Sequence, residues 1–146
     1  MEKTTYEDYL EKNGSLTYTF KGISMMPLLR SDKDLFTVKK NDGTRFKKGD
    51  VVLYRRPPEQ YVLHRIVEVR PEDYVILGDN CISREPGIRD EDILGVMTAY
   101  IRSGKEHSVE ELPYRIYSKA IVGLAPLRIA YKRLRRWAAR LIKGRK

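Results

Sequence analysis

Short apolar-rich segments separated by polar turns fill the first two thirds of the chain and predict short β-strands. SLTYTF alternates apolar and polar residues, and LFTVKK, DVVLYRR, YVLHRIVEVR, YVILGDN and DILGVMTAYIR follow it. Turn sequences such as NDGTRFKKGD and RRPPEQ separate them. We therefore expect a mainly β fold with a curled sheet or barrel as its core. A short helix from Tyr6 to Lys12, ending at Asn13-Gly14, should precede it.

The C-terminal segment has a helical period instead. Between Tyr114 and Lys143, apolar residues recur at steps of three and four: Leu127, Tyr131, Leu134, Trp137 or Ala138, and Leu141. Basic residues fill the other faces: Arg128, Lys132, Arg135, Arg136 and Lys143. This pattern predicts a basic amphipathic helix that is interrupted at Pro126, because proline does not continue a helix.

Charge divides the chain at the same place. Residues 1–112 hold 18 Lys and Arg against all 20 Asp and Glu, whereas residues 113–146 hold 11 basic residues and no acid. The net charge of +9 therefore comes from the tail, and we place the boundary between a β-rich domain (1–112) and a helical tail (113–146) at Pro113.

Three partners suit such a tail. An anionic membrane surface would bind it through Arg128, Lys132, Arg135, Arg136 and Trp137. Docking on the chain's own core is the commoner fate of an amphipathic helix and ranks close behind. Nonspecific binding to nucleic acid ranks last, because acids balance bases in the rest of the chain and no nucleic-acid motif is present.

Cysteine content and hydropathy exclude several kinds of structural site and membrane segment. The single Cys81 excludes an internal disulfide and a multi-cysteine zinc site, and we expect no metal or cofactor. The acidic N-terminus lacks the apolar core of a secretory signal, and the longest apolar run, Ala120 to Leu127, is too short to span a bilayer. These features predict a cytoplasmic protein, peripheral on a membrane if the tail binds lipid.

Candidate chemistry begins with two histidines and one serine. His64 lies on a strand face with Val62 and Ile66, where a histidine is more often a core residue, and His107 lies in a polar loop. Ser24, in GISMMPLL, is a hydroxyl on a stiff turn, and Asp79 or Glu85 of GDNCISRE could orient an imidazole. A serine, a histidine and an acid occur in almost any protein, so this set alone is weak. Cys81 has no evident activating base and is interpreted as structural.

Five motifs carry a resemblance to a known family. GISMMPLL, KKGDVVLY, YVLHRIVEV, YVILGDN and DILGVM resemble, in order, the boxes of the signal peptidase I superfamily of serine peptidases, over Gly22 to Met97. The histidine in HRIV is similar to the endoplasmic-reticulum-like branch. Self-cleaving repressors belong to the same superfamily, but no DNA-binding helix pair precedes the serine box here.

The resemblance implies roles for particular residues. Ser24 would be the nucleophile, His64 the general base, and Glu85 the acid at a position where the family usually has Asp. Asp79 would be a turn residue that supports the site or an alternative acid. Gly22 stands where many members have a serine that helps the oxyanion hole, so backbone N–H groups would have to serve. Family members usually carry a membrane anchor before the serine box, and residues 1–21 contain no apolar segment of that kind.

These roles lead to expectations about substrate and rate. The substrates would be leader or signal peptides, and Gly22, Met25 and Met26 would lie beside the bound peptide. For the two methionines, packing in the core is an equally weighted alternative. For Gly22, the alternative is an ordinary turn glycine. A neutral His64 is required, so the rate should fall below a pKa near ~6.5. A peptide-binding or regulatory module of the same fold, with weak or no turnover, is the alternative function.

Overall fold

The computed structural model describes residues 6–56 and 60–144 and confirms a mainly β fold. The helices are α1 (Tyr6–Asn13), α2 (Leu112–Gly123) and α3 (Ala125–Lys143). The strands are β1 (Ser15–Thr19), β2 (Leu35–Lys40), β3 (Val51–Arg56), β4 (Gln60–Val69), β5 (Tyr74–Leu77), β6 (Glu85–Ile88), β7 (Ile93–Arg102) and β8 (Lys105–Ser108). The turn sequence RRPPEQ, predicted between β3 and β4, lies partly outside the described residues.

All strands belong to one antiparallel sheet. Its order is β1-β2-β7-β3-β4-β5-β6, with β8 paired to the end of β7. The first and last strands of this path do not pair with each other, so the curled sheet remains open. Strand β8 was missed by the sequence analysis, which placed His107 in a solvated loop. Ser103 and Gly104, both at positive φ, form the tight turn that lets this polar segment pair with β7.

Among the residues that the structure describes, three apolar cores lie against the sheet, and the smallest joins Leu77 of β5 to Ala125 and Ile129 of α3. The largest joins α1, β1, β2, β3 and the segment after β1, with Met25, Leu29 and Val38 fully buried. The second lies among β3, β4, β5 and β6, around Tyr54 and Ile66. Alternate residues of β3 and β4 therefore serve different cores, which explains why both strands consist largely of apolar residues rather than alternating ones.

A buried ion pair ties the sheet to the helices. Arg65 on β4 binds Asp79 with two parallel hydrogen bonds, Nε to Oδ1 at 2.8 Å and Nη2 to Oδ2 at 2.9 Å, and neither side chain is exposed. Arg65 Nη1 also donates to the Ser118 hydroxyl of α2 at 2.8 Å. Asp79 belongs to the turn of residues 78–81, here called the GDNC turn, and accepts a further bond from Tyr117. Every charged atom of the pair thus has a partner in another element.

The C-terminal helices are interrupted as predicted. Helix α2 ends at Gly123, and α3 begins at Ala125 with Pro126 in its first turn. The boundary predicted at Pro113 falls inside α2, whose Tyr114 is buried in the largest core. The segment after residue 112 is therefore packed on the β-rich part. No helix among the described residues is both long and apolar enough to span a membrane.

Replacing one charge of the buried pair should strongly destabilise the fold. Asp79→Asn keeps the shape of the side chain but leaves the Arg65 guanidinium buried and unpaired, so we expect a loss of about 3 to 5 kcal/mol in the free energy of unfolding. Urea denaturation followed by circular dichroism measures it. Glu91→Gln removes a carboxylate that is 71% exposed and 3.9 Å from Arg89, and should change stability by less than about 0.5 kcal/mol. Equal effects of the two variants would contradict this account.

Candidate active site

An open groove of about 740 Å³ contains the predicted catalytic residues. Its walls come from β1, β4, α3, the GDNC turn and the segment after β1. Ser24, His64 and Glu85 all line it, although they are far apart in the sequence. The fold therefore brings the three residues to one surface.

Ser24 lies in a turn of residues 22–29, here called the serine turn. The Asn80 N–H donates to the Ser24 carbonyl at 2.8 Å, and the Asn80 side chain donates to the Ile23 carbonyl at 3.1 Å. The next residue, Met25, is fully buried and its sulfur receives the Asp79 N–H. Within the described residues, the Ser24 hydroxyl and N–H make no hydrogen bond. The backbone of the serine turn is thus fixed while its hydroxyl remains available.

Gly78 lets Ser24 and His64 approach each other. A Cβ added at Gly78 would lie 2.8 Å from the Ser24 carbonyl oxygen and 3.0 Å from Cδ2 of His64. Any side chain at this position would push the two residues apart. The Cδ2 edge of the imidazole therefore packs against Gly78, next to the Ser24 carbonyl.

The opposite edge of the imidazole contacts a tyrosine that the sequence analysis did not identify. The Tyr54 oxygen is 3.3 Å from His64 Nδ1 and donates its proton to Glu85 Oε1 at 2.9 Å. Arg56 holds the same carboxylate, with Nη2 2.6 Å from Oε1. Glu85 is therefore linked to His64 through the Tyr54 hydroxyl rather than by a direct bond.

With Tyr54 donating to Glu85, one tautomer of the neutral His64 is favoured. A tyrosine hydroxyl has one proton, and Tyr54 gives it to Glu85, so its oxygen can only accept from the imidazole. His64 must then carry its proton on Nδ1, which leaves a lone pair on Nε2. A neutral imidazole in this form can accept a proton on Nε2.

The electrostatics of the groove keep His64 neutral. Burial, and then the nearby Arg56 charge, lower the pKa of His64 from 6.5 to about 4. Burial alone would raise the pKa of Glu85, but the hydrogen bonds from Arg56 and Tyr54 outweigh it and leave that pKa lowered. The predicted titration of the base near ~6.5 is thus corrected downward, since the desolvated site disfavours imidazolium. Protonation of His64 should oppose folding as the pH falls from about 6.5 to about 4.

Of the three residues predicted near the substrate, the two methionines lie outside the groove lining and Gly22 lies in it. Met25 is fully buried in the largest core, so the prediction that it contacts substrate is corrected to core packing. Met26 is partly exposed but lies outside the groove lining, where Ile23 stands instead. Gly22 lines the groove at φ 95°, and a Cβ there would meet open space, so its backbone conformation explains the glycine.

Asp79 has a structural role in the fold. Both of its carboxylate oxygens are held, by Arg65 and Tyr117, on the side of β4 opposite His64. Neighbouring residues of a strand point to opposite faces, which separates Arg65 and its partner from the imidazole. The geometry favours the supporting role over the alternative acid.

The tail residues predicted to bind membrane divide into two groups. Arg128 donates to the carbonyls of Gly78 and Cys81 at 3.4 and 3.2 Å, and Lys132 donates to the Asn80 carbonyl at 3.0 Å. These two cations hold α3 on the GDNC turn. Arg135, Arg136 and Trp137 are exposed. The first half of α3 thus follows the docking alternative.

Tyr54, Arg56 and Gly78 are the site residues that sequence reasoning missed. Pairing VVLYRR with YVLHRI in register would have placed Tyr54 beside Val62 and on the same face as His64. The register depends on a turn that the alternation pattern does not fix. Gly78 gave no signal, because the close approach it permits is visible only in three dimensions.

Comparison with known proteins adds no relative. A scan against protein-family models finds no family that matches the chain, and a search of curated proteins finds no significant match. The geometry of the groove and the motifs of the sequence therefore carry the functional argument alone.

The protonation of His64 can be observed directly. At neutral pH, ¹H–¹⁵N spectra of the imidazole should show Nδ1 protonated and Nε2 unprotonated, and the titration midpoint should lie near 4. Tyr54→Phe removes the oxygen that selects this tautomer and should give a mixture of both forms. Tyr18→Phe removes a hydroxyl elsewhere in the groove and should leave the spectrum unchanged. A midpoint at or above 6.5 in the wild type would contradict the site described here.

Proposed function

We propose that this protein is a signal-peptidase-like serine endopeptidase with Ser24 as nucleophile and His64 as general base. The observation that carries the proposal is the close packing at Gly78, where a Cβ would contact both the Ser24 carbonyl oxygen and Cδ2 of His64, while the opposite edge of the imidazole is held by Tyr54. The five sequence motifs that resemble the signal peptidase I superfamily support the same assignment.

The chemistry follows the usual course of acyl transfer. Ser24 Oγ attacks the scissile carbonyl while its proton passes to Nε2 of His64. The imidazolium then gives the proton to the leaving amine, and an acyl-enzyme remains on Ser24. Water attacks the ester with His64 again accepting the proton, which releases the second product and restores the serine. Tyr54 holds the imidazole in position through Nδ1–H.

The opening of the sheet suggests how a peptide would bind. The groove is lined by Tyr18 and Thr19 of β1 and by the first residues of β4. β3 is the strand neighbour of Gln60–His64, whereas β5 begins its pairing with β4 at Arg65. An extended peptide could therefore lie along this part of β4 as an added strand and pass both His64 and Ser24.

The environment of His64 also sets the rate. A base with a pKa of about 4 accepts a proton less readily than one with a pKa near 7. The carboxylate of Glu85 is paired with Arg56, so its negative charge is partly neutralised. The imidazolium formed during the reaction is then weakly stabilised. We expect slow turnover, and a kcat/KM that changes little between pH 5 and 8 and falls toward pH 4, because kcat/KM follows the base of the free protein. This replaces the expectation of a fall below ~6.5.

Cleavage of candidate leader peptides tests the proposal. Wild-type protein should cut at one bond, and Ser24→Ala and His64→Ala should each lower the rate by on the order of 10³-fold or more, because each removes a reacting group. Mass spectrometry of the products measures the effect. Ser15→Ala, an exposed serine outside the groove, is the matched control and should cleave like the wild type. Cleavage that survives in Ser24→Ala would refute the catalytic assignment.

A peptide-binding or regulatory module is the second candidate. The lowered pKa of His64 and the pairing of Glu85 with Arg56 favour it, because both weaken the base without closing the groove. Binding of peptides by wild-type protein with no cleavage of any of them would select this function.

We propose further that the tail helix lies on an anionic membrane surface. Leu127, Tyr131 and Leu134 are each at least 60% exposed and form a stripe on the face of α3 that points away from the docked Ile129. Trp137 and Leu141 extend this stripe, and Arg135 flanks it. Apolar side chains at the headgroup level with cations beside them are typical of interfacial helices.

Vesicle flotation tests the membrane proposal. Wild-type protein should float with vesicles of phosphatidylserine and phosphatidylcholine, and the double variant Leu134→Gln/Trp137→Gln should lose most of this binding because it removes two anchors of the stripe. Point variants are preferable to deletion of the tail, since α2 is part of the core. Val69→Gln, which also replaces an exposed apolar residue, is the control. Equal flotation of all three proteins would refute the stripe as the membrane contact.

A further inference from the structure

One wall of the groove is strongly basic. Lys132 and Arg136, one turn apart on α3, line the groove together with Ser24. Lys132 contacts Asn80, and the N–H of Asn80 is bonded to the Ser24 carbonyl, so this wall stands directly beside the nucleophile. The helix that holds the tail on the domain is therefore also part of the groove.

The positive charge of this wall is not neutralised. Lys132 donates to two oxygens of Asn80, which are neutral acceptors, and Arg136 makes no hydrogen bond or ion pair within the described residues. The tail contains no acidic residue that could pair with them. Burial, and then the charges of Arg128 and Arg136, lower the pKa of Lys132, which indicates that the cations lie close enough to repel each other.

The rest of the groove offers little compensation. Lys21 and Arg56 bring the cations in the described lining to four, against one carboxylate, that of Glu85, which leaves a net charge of +3 with His64 neutral. Glu85 is already bound by Arg56. A concave surface of one charge concentrates its field and attracts ligands of the opposite charge.

We propose that the groove selects extended peptides that carry acidic side chains next to the bond at Ser24. The aspartate or glutamate of such a peptide would pair with Lys132 and Arg136 and relieve their mutual repulsion. This inference rests on the proposed function for the use of the groove and adds the class of substrate. The charge of the peptide, more than its apolar content, should then decide which leaders bind.

Binding of matched peptides separates this inference from catalysis. Ser24→Ala protein, which should leave peptides intact, is titrated with a short peptide that has glutamates on both sides of an alanine-rich centre and with its glutamine counterpart. Fluorescence anisotropy should show roughly three- to tenfold tighter binding of the glutamate peptide at low salt, and a much smaller difference near 1 M salt, where charges are screened within a few ångströms.

Charge reversal on the helix identifies the residues responsible. Arg136→Glu, added to Ser24→Ala, should abolish or reverse the preference for glutamate. Arg133→Glu changes the net charge equally on the same helix but lies outside the groove lining, so its preference should stay within about twofold of the parent protein. Neither arginine holds a hydrogen bond in the described structure, so both variants should fold.

The outcomes distinguish the two proposals. A glutamate preference that depends on Arg136, with no cleavage by wild type, supports the acidic ligand and refutes the peptidase. Cleavage without any preference, or equal effects of Arg136→Glu and Arg133→Glu, overturns the acidic ligand and leaves the peptidase standing. Loss of vesicle binding in Arg136→Glu with an unchanged peptide preference would assign this arginine to the membrane and also overturn it.

Discussion

The Arg65–Asp79 ion pair is the interaction on which the rest of the structure depends. It joins the centre of β4 to the GDNC turn, and the spare donor of Arg65 and the spare acceptor capacity of Asp79 reach α2 through Ser118 and Tyr117. Removing two charges from water costs several kcal/mol for each ion, and the pair is tolerable only because its geometry is bidentate and its other polar atoms are satisfied. Such a pair fixes the positions of three elements more strictly than apolar contacts would, since hydrogen bonds are directional.

The positions of the candidate site residues depend on this ion pair. His64 precedes Arg65 on β4. Because Arg65 is held by Asp79, the backbone of β4 is fixed there, and this sets the position of the His64 side chain on the opposite face of the strand. Asp79 likewise precedes Asn80, whose N–H holds the Ser24 carbonyl, and the Asp79 N–H contacts Met25 of the serine turn. The proposed nucleophile and the proposed base are therefore both attached to neighbours of one buried pair. Loosening it would disturb the distance between Ser24 and His64 without any change to either residue.

Local periodicity explains what the sequence could reveal. Helix α1, the strands that carry the motifs and the break before Pro126 all follow from alternation, turn residues and proline, which act within a few positions. Strand β8 could not be predicted in this way, because its residues are polar and its pairing with β7 depends on the Ser103-Gly104 turn. The position of Tyr54 beside His64 could not be predicted either, because it depends on the register of β3 with β4. The docked side of α3 was also beyond the pattern, since Arg128 and Lys132 bind carbonyls that only the folded GDNC turn presents.

The weak base and the basic wall lie in the same groove, although burial is the main cause of the lowered pKa of His64. After burial, the positive charge of Arg56 is the next cause that lowers the pKa of His64, and the cations of α3 stand on the same groove. An acidic peptide bound there, as we infer, would add negative charge near the imidazole and stabilise its protonated form. The pKa of His64 would then rise toward the range in which a general base works best. Under this mechanism the free site stays nearly inert, and the same carboxylate that gives a peptide its affinity also makes His64 a better base for cleaving it.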